Sequence, residues 1–139
     1  MTYALSWPLQ EAIFGQLCAD AVCASHFGHR VFDSPPPLIG DATPEGLYLV
    51  LGDEEVADWS TADTAGAQHI MTLSVYAPRR GYSEAKQAAA AVSDALLDST
   101  PAMSRGRIVN LRFIDAKTHR AEGDALRWID LRFRIVVED

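Results

Sequence analysis

Positive charge is nearly missing from the first half of this chain. Residues 1–78 hold one basic side chain, Arg30, against ten acidic ones, a net of −9. Residues 79–139 hold eleven basic and nine acidic side chains, a net of +2. The overall charge of −7 argues against tight binding to nucleic acid through phosphates. The split puts unlike charge on the two halves, as unlike surfaces of neighbouring copies would need. Cysteine is scarce too. Cys18 and Cys23 are the only two, and five residues turn a helix by about 500°, so their thiols would face different ways. That spacing argues against a disulfide or a zinc knuckle. No apolar run approaches the roughly 20 residues a membrane helix needs. The first eight residues hold no basic side chain ahead of an apolar stretch, so no signal-peptide pattern is present. The expectation is a cytosolic protein, or one assembled into something there.

What is present suits a single domain over residues 1–139. Hydrophobic residues make up 48% and charged residues 22%, a balance that supports a core and argues against disorder. Leu9, Ile13 and Leu17 recur every fourth residue, which predicts an amphipathic helix over 8–24 with Pro8 in its first turn. Residues 30–33 form a short extended piece. The stretch DSPPPLIGDATPEG reads as a long surface loop. The apolar run 47–51 predicts a buried strand that extends past a bulge at Gly52 toward Val56 and Trp59. Residues 69–77 alternate, with Met71, Leu73 and Val75 on one face, and should pair antiparallel with that strand.

The segment EAKQAAAAVSDALLD carries the strongest helical pattern, predicted over 83–98 with Ser83 as cap and Val92 and Leu96 on its apolar face. So much alanine implies close approach to a sheet. A second hairpin comes next. Val109, Leu111 and Phe113 share one face of its first strand, and Ile129, Leu131, Phe133, Ile135 and Val137 one face of its second, with the turn around Gly123. The fold class expected is α+β: a mostly antiparallel sheet with two main helices packed on one face. Leu9, Ile13, Leu17, Leu49, Leu51, Leu73, Val75, Val92, Leu96, Leu111, Phe113, Leu131, Phe133 and Ile135 should be buried.

Signs of chemistry are few. Asp53, Glu54, Glu55 and Asp58 lack the ligand spacing of a calcium loop. On a strand, Asp53 and Glu55 would share one face and Glu54 and Asp58 the other, so the acids are divided rather than convergent. His26 and His29 have no acid or thiol at a recognisable spacing, and His69 and His119 are isolated. No nucleophile elbow, phosphate loop or dinucleotide fingerprint occurs. The residues therefore point to no catalytic group, no metal and no cofactor. A small enzyme or ligand-binding α+β domain using the His and carboxylate side chains is the competing reading.

The segments LYLVLGDEEVADWST, HIMTLSVYAPRRGYSEAKQAAAAVSDAL and RIVNLRFIDAKTHRAEGDALRWIDLRFR, in this order and spacing, resemble the tail terminators of long-tailed phages, related prophages and alphaproteobacterial gene transfer agents. The likeness runs from the first helix to the end of the chain. Its markers are the G-D-E-E…D-W-S-T end of the first long strand, the G-x-x-E-A-K approach to the second helix and the V-N-L-R-F strand. None is a catalytic signature. The resemblance implies a structural ring subunit, typically of a hexamer, capping the head-proximal end of a tail tube. Such a cap ends tube polymerisation and joins tail to head. It implies as partners further copies of itself, the tail tube protein and head–tail connector or stopper proteins. DNA would pass through the ring without specific binding, and no membrane would be involved. The place implied is the bacterial cytoplasm during assembly, then the virion tail. Another neck component, a stopper or adaptor, is the nearest alternative.

A closed ring joins one patch to a different patch on the next copy. The acidic end of the first hairpin, Asp53, Glu54, Glu55 and Asp58, and the second hairpin's Arg112, Arg127, Arg132 and Arg134 are the unlike patches expected to meet or to line the channel. Trp59 would be the aromatic anchor.

Overall fold

The computed structural model describes residues 3–34, 46–78, 82–121 and 126–139. The elements run α1 (Ser6–Ala19), α2 (Ala21–Phe27), β1 (Val31–Phe32), β2 (Tyr48–Asp58), β3 (Gly66–Pro78), α3 (Tyr82–Leu97), β4 (Arg107–Arg120) and β5 (Leu126–Glu138). The five strands form one sheet in the order β1-β2-β3-β5-β4, with β1 parallel to β2 and the other pairs antiparallel. The fold is α+β, as the sequence predicts. Most of the proline-rich loop and the turn around Gly123 lie outside the described residues.

The strand alternation decides which face is covered. Leu49, Leu51, Leu73, Val75, Leu131, Phe133 and Ile135 are buried together with Leu9, Ile13 and Leu17 of α1, Cys23 and Phe27 of α2, and Val92 and Leu96 of α3. The helices therefore share one face of the sheet. Five buried alanines of α3, Ala85, Ala88, Ala89, Ala91 and Ala95, let its backbone come close, since at those positions only a methyl separates it from its neighbours. Gly52 does sit in a bulge: the register of β2 against β3 shifts between Leu51 and Glu54.

Three expectations need correction. The helix over 8–24 is two helices. Asp20 is extended (φ −73°, ψ 125°), and its carboxylate accepts from the Cys23 amide at 2.9 Å, so it caps α2 and ends α1. Leu17 and Cys23 are six residues apart, so the four-residue spacing lapses at Asp20 and resumes between Cys23 and Phe27. Second, α3 begins at Tyr82, so Ser83 lies inside the first turn and is not the cap.

The third correction concerns β4. Phe113 is 44% exposed and Leu111 only half-buried, against the expectation that both are core. Strand β4 is an outer edge of the sheet, and α3 reaches only the strand's C-terminal end, where Tyr82 Oη donates to the His119 carbonyl at 2.9 Å. The register also shifts between Ile108 and Asn110 and between Phe113 and Asp115. Ile108, Leu111 and Phe113 lie opposite the buried Val137, Ile135 and Phe133, while Val109 falls in the first bulge. Val109 is thus off the face it was expected to share. A bulge adds one residue to one strand and reverses the facing of the residues beyond it.

Gly106 closes the approach to β4. Its φ of +69° favours glycine, and a Cβ there would lie 2.7 Å from the Glu138 carbonyl oxygen and 2.9 Å from Leu5 Cδ2. The start of α1 and the end of β5 meet at this point.

Candidate functional site: the hairpin ends and the outer face

After the bulge in β2, Glu54, Val56 and Asp58 lie opposite Met71, His69 and Ala67, all buried residues of the helix-bearing face. The bulge thus turns one acid inward. Glu54 accepts from the Ser6 hydroxyl, from Tyr3 Oη at 3.3 Å and from His69 Nδ1 at 3.2 Å. His69 is fully buried, and its Nε2 has no partner among the described residues. A carboxylate can only accept, so Nδ1 carries the proton of this contact. Glu54 therefore links the first hairpin to α1. His69, isolated in the sequence, gains a partner fifteen residues away.

The neighbouring acids go elsewhere. Asp53 and Glu55 are exposed, and Asp53 borders a concavity of about 500 Å³ on the face opposite the helices, with Asp33, Thr72, Ser74, Trp128 and Asp130 around it. Asp58 accepts from the Ser60 hydroxyl at 2.6 Å. That hydrogen bond holds its carboxyl below the usual carboxylate range. The four acids are divided between two faces, as their spacing on a strand predicts.

Trp59 is 51% exposed and is covered on one ring face by Arg134, whose guanidinium carbon lies 5.0 Å from the ring centroid. Arg134 Nε also donates to Gln68 Oε1 at 2.6 Å. Arg132 pairs with Asp115 at 3.1 Å, across from its own strand. Arg127 lies over the Tyr82 ring at 5.5 Å. Arg112 is exposed opposite Arg134. The structure thus brings Trp59 and Arg134 together within one chain and engages Arg132 and Arg127 locally.

The face opposite the helices holds a feature that sequence reasoning missed. Phe32, Tyr48, Tyr76, Trp128 and His119 form a row across all five strands, with successive ring centroids 6.2, 4.8, 5.7 and 5.0 Å apart. Each ring stands at a cross-strand position, where side chains of neighbouring strands approach closely. Burial pushes the Tyr48 and Tyr76 phenols above their ordinary pKa, with the Asp130 charge adding to the effect at Tyr76. Asp130 accepts from the Ser74 hydroxyl at 2.5 Å, and His119 Nε2 lies 2.8 Å from its other oxygen, though off the line of a hydrogen bond. The signal for this row is one aromatic or His on each strand; finding it requires the register between strands, which no single segment contains.

Both cysteines are free. Cys23 is buried, and desolvation, reinforced by its hydrogen bond to Asp20, pushes its thiol pKa up to about 12. Among the described residues no group of three or more His, Cys, Asp or Glu side chains is placed to hold a metal ion, and no helix is long and apolar enough to cross a membrane.

The α+β fold thus offers an exposed strand edge and a half-exposed Trp59 covered by Arg134, with an aromatic row on the face opposite the helices. Comparison with known proteins defines the class further. Residues 11–138 match the family described as "Tail completion protein gp17", and the chain belongs to that family. A chain in the solved structure titled "Virion of native gene transfer agent (GTA) particle" is 46% identical over 99% of this chain and 100% of its own, with a TM-score of 0.88. Among curated proteins none matches.

Proposed function

We propose that this protein is a ring subunit, hexameric when assembled, that caps the head-proximal end of the tail tube of a phage-like particle. The ring stops tube polymerisation and offers a docking surface to the head–tail connector or stopper. The observation that carries the reading is the end-to-end likeness, at 46% identity, to a subunit of a gene transfer agent virion, joined to membership of a tail completion family. The role is structural. It calls for no cofactor and no reaction, and the chain acts as one domain. Assembly takes place in the bacterial cytoplasm, and the protein ends in the particle.

Within this reading, residues 53–61 form a ring surface. Asp53, Glu55 and Asp58 supply negative charge where DNA passes, and like charge keeps DNA from adhering. Trp59, held by Arg134 with half its surface free, is the aromatic anchor for a neighbouring protein, since Trp and Arg dominate many interface energies. Glu54 is not part of this surface. It holds the hairpin to α1 from inside.

Deletion of the gene in a particle-producing host is the direct test. Over-long tubes, or full heads without tails beside tails without heads, are the expected products. Normal particles in normal yield would refute the capping role. The companion variant Trp59→Ala with Asp53, Glu55 and Asp58 all changed to Lys should reproduce the defect while remaining folded.

A further inference from the structure

The two outer edges of the sheet carry complementary bare surfaces. On β5 every core-facing residue, Ile129, Leu131, Phe133, Ile135 and Val137, is buried. Their register partners on β4 are Thr118, Ala116, Phe113, Leu111 and Ile108. None of these is buried: three are exposed and two half-buried. The face of β4 that continues the core is thus covered incompletely, with α3 meeting the strand near His119. Val109, in one bulge, is 51% exposed, and Ile114, in the other, is exposed as well.

At the opposite edge the situation is reversed. Trp7 and Phe14, with Glu11 between them, form a stripe on α1 at spacings of four and three residues. Trp7 is 64% exposed and Phe14 also exposed. They border a groove of about 440 Å³ together with Glu11, Val31, Phe32 and Asp33, between α1 and edge strand β1. Here a helix shows an apolar stripe with no sheet beneath it.

We infer that the α1–β1 groove of one copy seats against β4 of the next, so that the neighbour's α1 covers the residues of β4 that its own helices leave exposed. Charge favours this pairing over a like-with-like contact. Strand β4 carries Arg107, Arg112, Lys117 and Arg120 against one acid, Asp115. Arg112 and Lys117 stand exposed without an ion pair among the described residues. The groove carries Glu11 and Asp33 and no basic side chain. Two groove faces meeting each other would bring acids together, and two β4 faces would bring cations together. Unlike patches at opposite edges make a head-to-tail contact, the kind that closes into a ring. The inference rests on the ring reading above and names its contact surface.

The test places the photo-crosslinker p-benzoylphenylalanine at one site in cells that assemble particles, and counts copies of the protein per particle by quantitative mass spectrometry. With Phe113→p-benzoylphenylalanine, light should give an adduct of twice the chain's mass, joined to a peptide from residues 6–19 of another copy. The reverse variant, Phe14→p-benzoylphenylalanine, should capture a peptide from residues 107–120. Both positions are exposed, so each aromatic replacement leaves the fold intact. Several copies per particle with adducts elsewhere, or with no self-adduct, would overturn this surface while leaving the ring standing. A single copy per particle would overturn the ring and the surface together.

Discussion

Glu54 and Glu55 are neighbours in the chain with opposite environments, and their replacement separates structure from surface. Glu54 accepts three hydrogen bonds, one from a fully buried His69. Glu54→Ala leaves that ring without its acceptor, which costs about 1–3 kcal/mol. A thermal melt should show a loss of several degrees, while Glu55→Ala, at an exposed position, should melt like the parent. The cysteines give a second check. A pKa of about 12 keeps the Cys23 thiol protonated at pH 8, and thiolate is the reactive form. An Ellman titration of native protein at pH 8 should therefore count one thiol, the exposed Cys18, and two in denaturant. Two rapidly reacting thiols in native protein would contradict the placement of α2. The inward turn of Glu54 depends on how the register shifts around Gly52. The sequence shows the acids and the glycine, yet the partner His69 emerges only once β2 and β3 are aligned.

At the scale of elements, most of the sheet was legible because its central strands alternate cleanly. β3 and β5 bury Leu73, Val75, Leu131, Phe133 and Ile135 on one face, and alternation predicts that directly. β4 was misread for a physical reason: alternation says which residues share a face, but the helices cover that face of this edge strand only in part. The break at Asp20 left a different trace. Asp is a preferred N-cap, and here the four-residue apolar spacing lapses beside it, with a step of six residues from Leu17 to Cys23. Asp20→Ala removes the acceptor for the Cys23 amide, and loss of such a cap costs about 1 kcal/mol. Chemical denaturation should show that loss without a change in the slope of the transition. Gly106→Ala should cost more, about 1–3 kcal/mol, because it combines a left-handed backbone with contact against Glu138 and Leu5. If both variants unfold at the parent's midpoint, the packing of α1 against the end of β5 is wrong.

For the whole molecule, the uneven charge of the sequence has a structural counterpart in its edges. The acid-bearing α1–β1 groove lies at one side and cation-rich β4 at the other. The family was legible from the order of segments across the chain, and the match over residues 11–138 agrees with it. The candidate surfaces were legible only in part. Trp59, Asp53, Glu55 and Asp58 are exposed and Glu54 turns inward, whereas the aromatic row and the β4 edge depend on strand order, which no local pattern carries. The most direct measurement is a cryo-electron microscopy map of the particle with this chain placed in it. The proposed role requires a single closed ring of six copies at the head-proximal end of the tail tube, with residues 53–61 at the bore or against a neighbouring tail protein. A map that places the chain along the tube, at the distal tip or in one copy would contradict it.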